Sequence, residues 1–287
     1  MQSLWMIVAS FLFACMGVCV KLAADFFSPA EVVFYRSAIS LALITILVFI
    51  RGTSIRTPHW RFQLSRSASG FLSLFLYFYA ISMLPLATAV TLAYTSPLFL
   101  ALYLGWFGKA RLNAGVIAAL ALGFIGVALL LRPSLNADQY IGALVSVGSG
   151  MVAGIAYYNV RELGARGEPE GRTVFYFSLF STIASALWML LFEFHPVDLR
   201  GGLLLLGVGG FGTFAQLAMT RAYARGKTLV SASLAYSAVI FASLFGMLIW
   251  QETLSFGAWL AIALIIASGV SATWFSRTPP AITDKID

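Results

Sequence analysis

The residues that could do chemistry in this sequence are few, and most lie at the ends of long apolar runs. Among 287 residues there are 11 acidic residues and two histidines, His59 and His195. Both histidines fall between the runs, and no group of His, Cys, Asp and Glu has the spacing of metal ligands. The sequence also has no arguable Ser-His-Asp set and no nucleotide-binding motif. It therefore predicts no catalytic residue, no metal and no cofactor.

Tyrosines inside the apolar runs are a second group of candidates. Tyr77, Tyr94 and Tyr236 lie well within their runs. A buried hydroxyl without a hydrogen-bond partner costs about 1–3 kcal/mol, so it needs a neighbouring helix or a wet cavity. We predict that these tyrosines bind substrate in a central cavity; hydrogen bonding between helices is the alternative. The further substrate-binding candidates are Tyr157, Tyr158, Asn159, Gln216 and Ser237.

Two charged residues near the start of the second run are candidates for a gate. Glu31 and Arg36 follow the helix start at Ser28-Pro29 and are five residues apart. In one interpretation, both side chains simply extend to the water at the membrane surface or pair with neighbours. The alternative is that they form a gate or contact the substrate at the outer mouth. Glu252, at the end of a later run, is predicted to satisfy a neighbouring helix end. Either Glu31 or Glu252 could reach the cavity if its helix begins deeper than expected.

The runs that carry these residues have the length of membrane-spanning helices. Charged residues make up only 10% of the chain, against about 25% in a soluble domain. Ten apolar runs follow one another with short connections, and about twenty residues suffice to cross a hydrocarbon core of roughly 30 Å. We predict an all-α integral membrane protein with ten transmembrane helices, at 3–22, 29–50, 67–84, 86–107, 112–131, 140–160, 173–194, 201–220, 228–250 and 254–275.

The distribution of basic residues predicts the orientation. With a cytoplasmic N-terminus, 14 of the 18 Lys and Arg residues, Arg66 among them, fall on the cytoplasmic side, and Lys21, Arg36, Arg132 and Arg200 on the outer side. An excess of Lys and Arg marks cytoplasmic loops. We therefore predict a multi-pass protein of the cell membrane, a bacterial inner membrane, with both termini cytoplasmic. Because these residues are dispersed among the loops, the net charge of +7 does not indicate nucleic-acid binding.

The chain also repeats itself. Residues 92–99 resemble residues 234–241, and the same offset of 142 residues continues without gaps through the next span, pairing Tyr94 with Tyr236. Each half then has five spans, and because five is odd the halves enter the membrane from opposite sides. We predict two inverted five-helix repeats, at 1–134 and 135–277, and a disordered cytoplasmic tail at 278–287.

Ten spans in two inverted halves are similar to the drug/metabolite transporter superfamily, in particular its EamA-like branch. Ser28-Pro29 with Arg36, the segment LAYTSP at 92–97 and Trp250-Gln251-Glu252 resemble parts of the second, fourth and ninth helices of that family. The first half departs from the pattern at Gly108-Lys109, where the family often has Gly-Glu. Within the superfamily, the chain looks most like the YddG-type aromatic amino-acid exporters.

These features predict a transporter and not an enzyme. An inverted repeat lets one half rock against the other around a midplane site. We expect a secondary carrier or facilitator that exports small amphipathic metabolites by alternating access; an aromatic amino acid as substrate is implied by the resemblance alone. A channel, or an exporter of other metabolites or drugs, is the alternative, and a membrane enzyme is disfavoured.

The expected partners are a small-molecule substrate and the lipid bilayer, with no nucleic acid and no ATPase subunit. The sequence leaves open whether the protein is a monomer or a homodimer. Every acidic residue is assigned to a span end or a loop. Since proton-coupled carriers need a titratable group within the membrane, we expect the flux to follow the gradient of the substrate alone.

Overall fold

Helices form all of the regular structure in the parts of the chain that the computed structural model describes, which are residues 1–84, 86–107, 113–131, 139–189, 194–251 and 255–276. Glu252 and the predicted tail at 278–287 lie outside these ranges. A short 3-10 turn, Gln2–Leu4, precedes the first α-helix. The helices are α1 (Trp5–Ala23), α2 (Pro29–Ile50), α3 (Trp60–Met83), α4 (Leu86–Ala93), α5 (Ser96–Trp106), α6 (Ala114–Leu131), α7 (Tyr140–Ala165), α8 (Glu170–Met189), α9 (Leu199–Arg225), α10 (Thr228–Ala235), α11 (Ser237–Trp250) and α12 (Phe256–Phe275).

Eight helical stretches of the described residues are long and apolar enough to cross a membrane. They are Gln2–Ala23, Pro29–Ile50, Ala89–Trp106, Ala114–Leu131, Tyr140–Ala165, Leu199–Arg225, Thr228–Trp250 and Phe256–Phe275. The remaining long helices, α3 and α8, have 24 and 20 residues but carry more polar side chains. Two stretches combine consecutive short helices, α4 with α5 and α10 with α11. Eight such stretches and two more polar helices agree with ten crossings, a number that stays a prediction.

The third helix begins earlier than the sequence predicts. α3 starts at Trp60, whereas the apolar run begins only at residue 67. Two polar residues of its first two turns face the protein interior: Gln63 is 1% exposed and Arg66 is 3% exposed. Their low hydropathy predicted a loop, because polar residues usually lie in water. In the structure these two residues belong to a helix and are surrounded by other helices of the bundle.

Two of the crossings are interrupted near their middle. Between α4 and α5, the Thr95 hydroxyl donates a hydrogen bond of 2.6 Å to the carbonyl of Leu92. Between α10 and α11, which meet at Tyr236, the Ser237 hydroxyl donates one of 2.7 Å to the carbonyl of Leu234. Side-chain hydrogen bonds of this kind compete with the regular helical ladder. The interruptions fall at Tyr94-Thr95 and at Tyr236, the positions that the repeat offset pairs.

Helices of the predicted first and second halves pack against each other throughout the bundle. α1 packs on α9 and α3 on α7, while α2 packs on α8 and α6 on α12. Small residues bring α6 and α12 close together. A Cβ atom added at Gly126 would lie 3.0 Å from the carbonyl oxygen of Ala261 and 2.8 Å from Cγ1 of Ile265. Such close approach supplies the dispersion contacts that hold helices together in lipid.

The bundle has two ends, which we name by residues that lie there. At the Ser3 end, the backbone N–H of Lys227 donates to the Ser3 hydroxyl, and Arg225 pairs with Glu170 at 2.6 Å. At the opposite, Glu31 end, the segment before α9 contacts the start of α2 through His195 and Glu31. The Ser3 end is the cytoplasmic one in the predicted orientation.

Candidate functional site

A cavity of about 340 Å³ lies among helices of both predicted halves. It is bordered by α1, α2, α3, α7, α8 and α9 and by both helix interruptions. Ala93 and Tyr94 contribute from the first interruption, and Ala235 and Ala238 from the second. Its volume falls in the range of about 300–1,000 Å³ that small-molecule pockets occupy. The central cavity is therefore the candidate substrate site.

Aromatic side chains form much of the wall of this cavity. Tyr77, Tyr94, Tyr157 and Tyr223 all line it. Tyr157 of α7 stacks on Tyr223 of α9, with ring centroids 4.8 Å apart and the planes 17° from parallel. Beyond these rings, toward the Ser3 end, a Cβ atom at Gly164 would lie 2.5 Å from Cα of Ala224. α7 and α9 thus pack closely between the cavity and the Ser3 end.

Two serines connect α3 and α7 at the cavity wall. The Ser73 hydroxyl donates to the carbonyl of Ser149 at 3.0 Å, and the Ser149 hydroxyl donates to the carbonyl of Ser73 at 2.9 Å. Gln216 of α9 also lines the cavity, and its Nε2 has no hydrogen-bond partner among the residues described. The wall therefore combines an apolar aromatic surface with a few polar groups.

Two arginines lie in the wall of this cavity. Arg66 of α3 places its guanidinium 3.8 Å from the ring centroid of Phe177. Glycine at position 70 makes room for it, since a Cβ atom there would be 3.0 Å from Nη1 of Arg66. Arg36 of α2 lies beside Gly212, where a Cβ atom would be 3.3 Å from its Nε. Three buried nitrogens of these arginines have no hydrogen-bond partner in the described part of the chain: Nε of Arg36 and Nε and Nη1 of Arg66.

The structure corrects the predicted position of Arg66 and leaves the gate prediction for Arg36 open. Arg36, predicted as a gate candidate on the outer side, lies seven residues into α2, about 10 Å along the helix from its first residue, and lines the cavity. A gating role for Arg36 stays a prediction. Arg66 was expected in a cytoplasmic loop, but α3 already includes it. The cavity wall consequently holds two fixed positive charges.

Glu31, the other predicted gate residue, does not line the cavity. Its side chain is fully buried at the Glu31 end and forms a capping box with Ser28 at the start of α2. The carboxylate also accepts the backbone N–H of His195 at 2.6 Å and lies 2.9 Å from Nδ1 of the same residue. These contacts hold the segment before α9 against α2. A gating role for Glu31 stays a prediction.

Only some of the predicted substrate-binding residues lie at the cavity. Tyr77, Tyr94, Tyr157 and Gln216 line the cavity. Tyr236 is fully buried next to Tyr94, with a ring-centroid distance of 6.0 Å, and does not line it. The other three lie away from the cavity: Tyr158 contacts Phe107, Asn159 donates to the Ser65 hydroxyl, and Ser237 donates to Leu234. Participation of any of these residues in binding stays a prediction.

Several lining residues were missed from the sequence, chiefly Arg66, Ser73, Phe177 and Tyr223. One signal was present in α3. Gln63, Arg66, Gly70, Ser73 and Tyr77 follow one another at spacings of three and four residues, which places them on one face of a helix. The stripe was hidden because the helix was assumed to begin after Arg66. Phe177 carries no comparable signal, since phenylalanine is ordinary in an apolar run.

No metal site is found within the described ranges, where no three His, Cys, Asp or Glu residues are grouped. Cys15 and Cys19 are free and partly exposed. Long apolar helices around a solute-sized cavity, with paired interruptions at its edge, are features of a membrane transporter.

The chain belongs to the EamA-like transporter family, whose model matches it twice, at residues 1–132 and 140–273. The pseudopaline exporter CntI of Pseudomonas aeruginosa (strain UCBPP-PA14) is 32% identical over 92% of this chain and 90% of its own length. A riboflavin transporter of Vibrio cholerae is 24% identical, over 93% and 90%. A solved crystal structure with 22% identity has the same fold, with a TM-score of 0.86 over 96% of this chain and 99% of the other.

Proposed function

We propose that this protein is a secondary transporter that exports small amphipathic metabolites by alternating access around the central cavity. The observation that carries the proposal is the position of the cavity at two helix interruptions, one from each predicted half. Interrupted helices at the interface of repeats are where secondary transporters bind their substrates. Membership in the EamA-like family supports transport, and the name of the pseudopaline exporter supports export.

Two further observations support the two-repeat organisation at 1–134 and 135–277. The family model matches each half separately. The packing agrees with this organisation as well. In two such repeats α1 corresponds to α7 and α9 to α3, so the contact of α1 with α9 is equivalent to the contact of α7 with α3, and the structure has both. An arrangement of this kind has two related conformations, in which the cavity opens at one end or the other.

The relatives leave the substrate open. They are named for pseudopaline and for riboflavin, and an aromatic amino acid, which the resemblance implied, is not among these names. We therefore propose only the broader class of small amphipathic solutes, since the cavity wall contains both tyrosine rings and a few polar groups. The close packing of α7 against α9 beyond the cavity favours a carrier over a channel, because an open channel needs a continuous path to both ends.

Transport can be measured with purified protein in liposomes loaded with unlabelled solute. We expect saturable counterflow of at least one compound from a panel that includes riboflavin and aromatic amino acids. Tyr94→Ala removes part of the cavity wall and should lower the flux several-fold, whereas Tyr79→Ala, at a half-exposed position of α3, should leave it unchanged. Flux that rises linearly with concentration would indicate a channel, and flux equal to that of empty liposomes throughout would refute the proposal.

Energy coupling can be tested in the same liposomes. None of the described residues that line the cavity is Asp, Glu or His, so we propose that the flux follows the gradient of the substrate itself. A pH gradient imposed at equal substrate concentrations should therefore cause no accumulation. Accumulation that depends on the pH gradient and disappears in Glu31→Gln would contradict this proposal.

A further inference from the structure

Two guanidinium groups in the cavity wall have no counter-charge among the described acidic residues. None of those acids lines the cavity. Each is placed elsewhere: Glu31 with His195, Glu162 with Arg161 and Arg166, Glu168 with Arg172, Glu170 with Arg225, Asp198 at the start of α9, and Asp25 exposed after α1. Arg36 and Arg66 thus keep their positive charge facing the cavity.

Burying a charge without a partner is costly, and charged residues inside a membrane protein commonly mark the path of a substrate. The contact of Arg66 with the ring of Phe177 compensates only part of that cost, because a guanidinium above a ring does not use its N–H donors as hydrogen bonds. The donors at Nε and Nη1 of Arg66 and at Nε of Arg36, which have no partner among the described residues, therefore need an acceptor. A bound anion would supply one.

We propose that the central cavity selects organic anions and binds an oxyanion group, such as a carboxylate, between Arg66 and Arg36. Guanidinium groups recognise such oxygens with paired, charge-assisted hydrogen bonds. The amide of Gln216, whose Nε2 also lacks a partner in the described part of the chain, provides a neutral donor at the same wall. The apolar body of the solute would contact Tyr77 and Tyr94. This inference rests on the transport function proposed above and names its substrate class.

The same charges argue against the other classes of small solute. A cation would be repelled by both arginines. A zwitterionic amino acid could place its carboxylate at Arg66, but its ammonium group would find no carboxylate among the described lining residues. The order of preference expected from the cavity is anion, then zwitterion, then cation.

Three probes with the same aromatic body test this order: N-acetylphenylalanine, an anion; phenylalanine, a zwitterion; and phenylalaninamide, a cation. Binding to the purified full-length protein in detergent is measured by calorimetry. We expect the anion to bind at least tenfold more tightly than either of the others. Equal or tighter binding of the zwitterion or the cation would overturn the proposal.

Variants assign the preference to the arginines. Arg66→Gln should weaken binding of N-acetylphenylalanine tenfold or more, and Arg66→Lys should retain part of it because the charge is kept. Arg61→Gln removes an exposed charge from the same helix and should have no effect. If Arg66→Gln does not fold, as judged by gel filtration, Arg36→Gln provides the same test. Unchanged affinity in the folded variant of either arginine would overturn the proposal.

The outcomes also separate this inference from the proposed function. If none of the three probes binds while the liposomes still transport another solute of the panel, the anion site is refuted and the transport function stands. If no solute of the panel is transported but N-acetylphenylalanine binds through Arg66, the anion site stands and transport is refuted.

Discussion

Tyr236 shows how a single polar group can be placed inside the packed core beside a cavity. Its ring is fully buried, and its hydroxyl has no hydrogen-bond partner among the described residues. The ring occupies space that a glycine leaves open, because a Cβ atom at Gly123 would lie 2.5 Å from it. Tyr94, its predicted repeat partner, faces the cavity instead. The two tyrosines therefore have different surroundings and different expected roles.

Substitutions of Tyr236 should distinguish the contribution of its ring to stability from that of its hydroxyl. Tyr236→Phe removes a buried hydroxyl that has no partner among the described residues. It should raise the melting temperature slightly, since a buried polar group without a partner costs about 1–3 kcal/mol. Tyr236→Ala should lower it, because loss of a buried aromatic ring typically costs about 3–5 kcal/mol. Thermal denaturation in detergent, followed by tryptophan fluorescence, measures both. A drop for Tyr236→Phe as large as that for Tyr236→Ala would show that the hydroxyl has a stabilising partner.

At the scale of helices, the interface of α6 with α12 depends on small residues. Gly115, Gly123 and Gly126 each leave less than 3.0 Å between an added Cβ atom and a neighbouring side chain. The contacts are with Phe275, with Tyr236 and Ser268, and with Ile265. Together they hold α12 against α6 and support the helix interruption at Tyr236.

Gly126→Val should disrupt this interface. The added side chain would meet the backbone of α12 near Ala261, which cannot move aside as a flexible side chain could, and overpacking typically costs about 1–3 kcal/mol. Gly17→Val is the matched control, since a Cβ atom at Gly17 has no described residue within 4 Å. We expect a lower melting temperature for Gly126→Val than for Gly17→Val. Equal melting temperatures would show that α6 and α12 can separate without cost.

At the scale of the whole molecule, the two predicted halves are not in equivalent positions. α7 and α9 pack together at the Ser3 end, through Gly164 with Ala224 and Tyr157 with Tyr223. The corresponding pair of the other half, α1 and α3, makes no comparable packing contact within the described residues. In the proposed alternating-access cycle, we expect the α7–α9 contact to close the cavity toward the Ser3 end.

Gly164→Val should disfavour this closed conformation, because its side chain would collide with Ala224. The reporter is a cysteine in the cavity wall, Ala153→Cys, in a protein whose Cys15 and Cys19 are replaced by serine. A membrane-impermeant maleimide is applied from each side of sealed vesicles, and its reaction with this cysteine is measured. Labelling from the Ser3 side should increase several-fold. Gly148→Val, on the same helix with open space around it, should not change it. The same labelling in both variants would show that α7 and α9 do not form the closure.

Much of the helical framework could be predicted from the sequence, because lipid imposes a length and a composition on each helix that crosses it. Runs such as 29–50 and 228–250 match the observed helical stretches. The sequence predicted uninterrupted helices at 86–107 and 228–250, and it was the structure that showed interruptions at Tyr94 and Tyr236, which the repeat offset pairs. The runs themselves are local features, since a few consecutive residues carry the signal.

The composition of the cavity was decided by tertiary structure. The hydropathy pattern excluded Arg66 from its helix. Hydropathy averaged over neighbouring residues is equally low for a polar segment in water and for one that faces a polar protein interior. Only the packing of α3 against α7 and α8 shows that Arg66 points inward, above Phe177. Phe177 and Tyr223 likewise resemble any other aromatic residue of a membrane helix until their neighbours are known. The positions of helices along the chain follow from local composition, whereas the residues that meet at a site depend on which helix faces pack together.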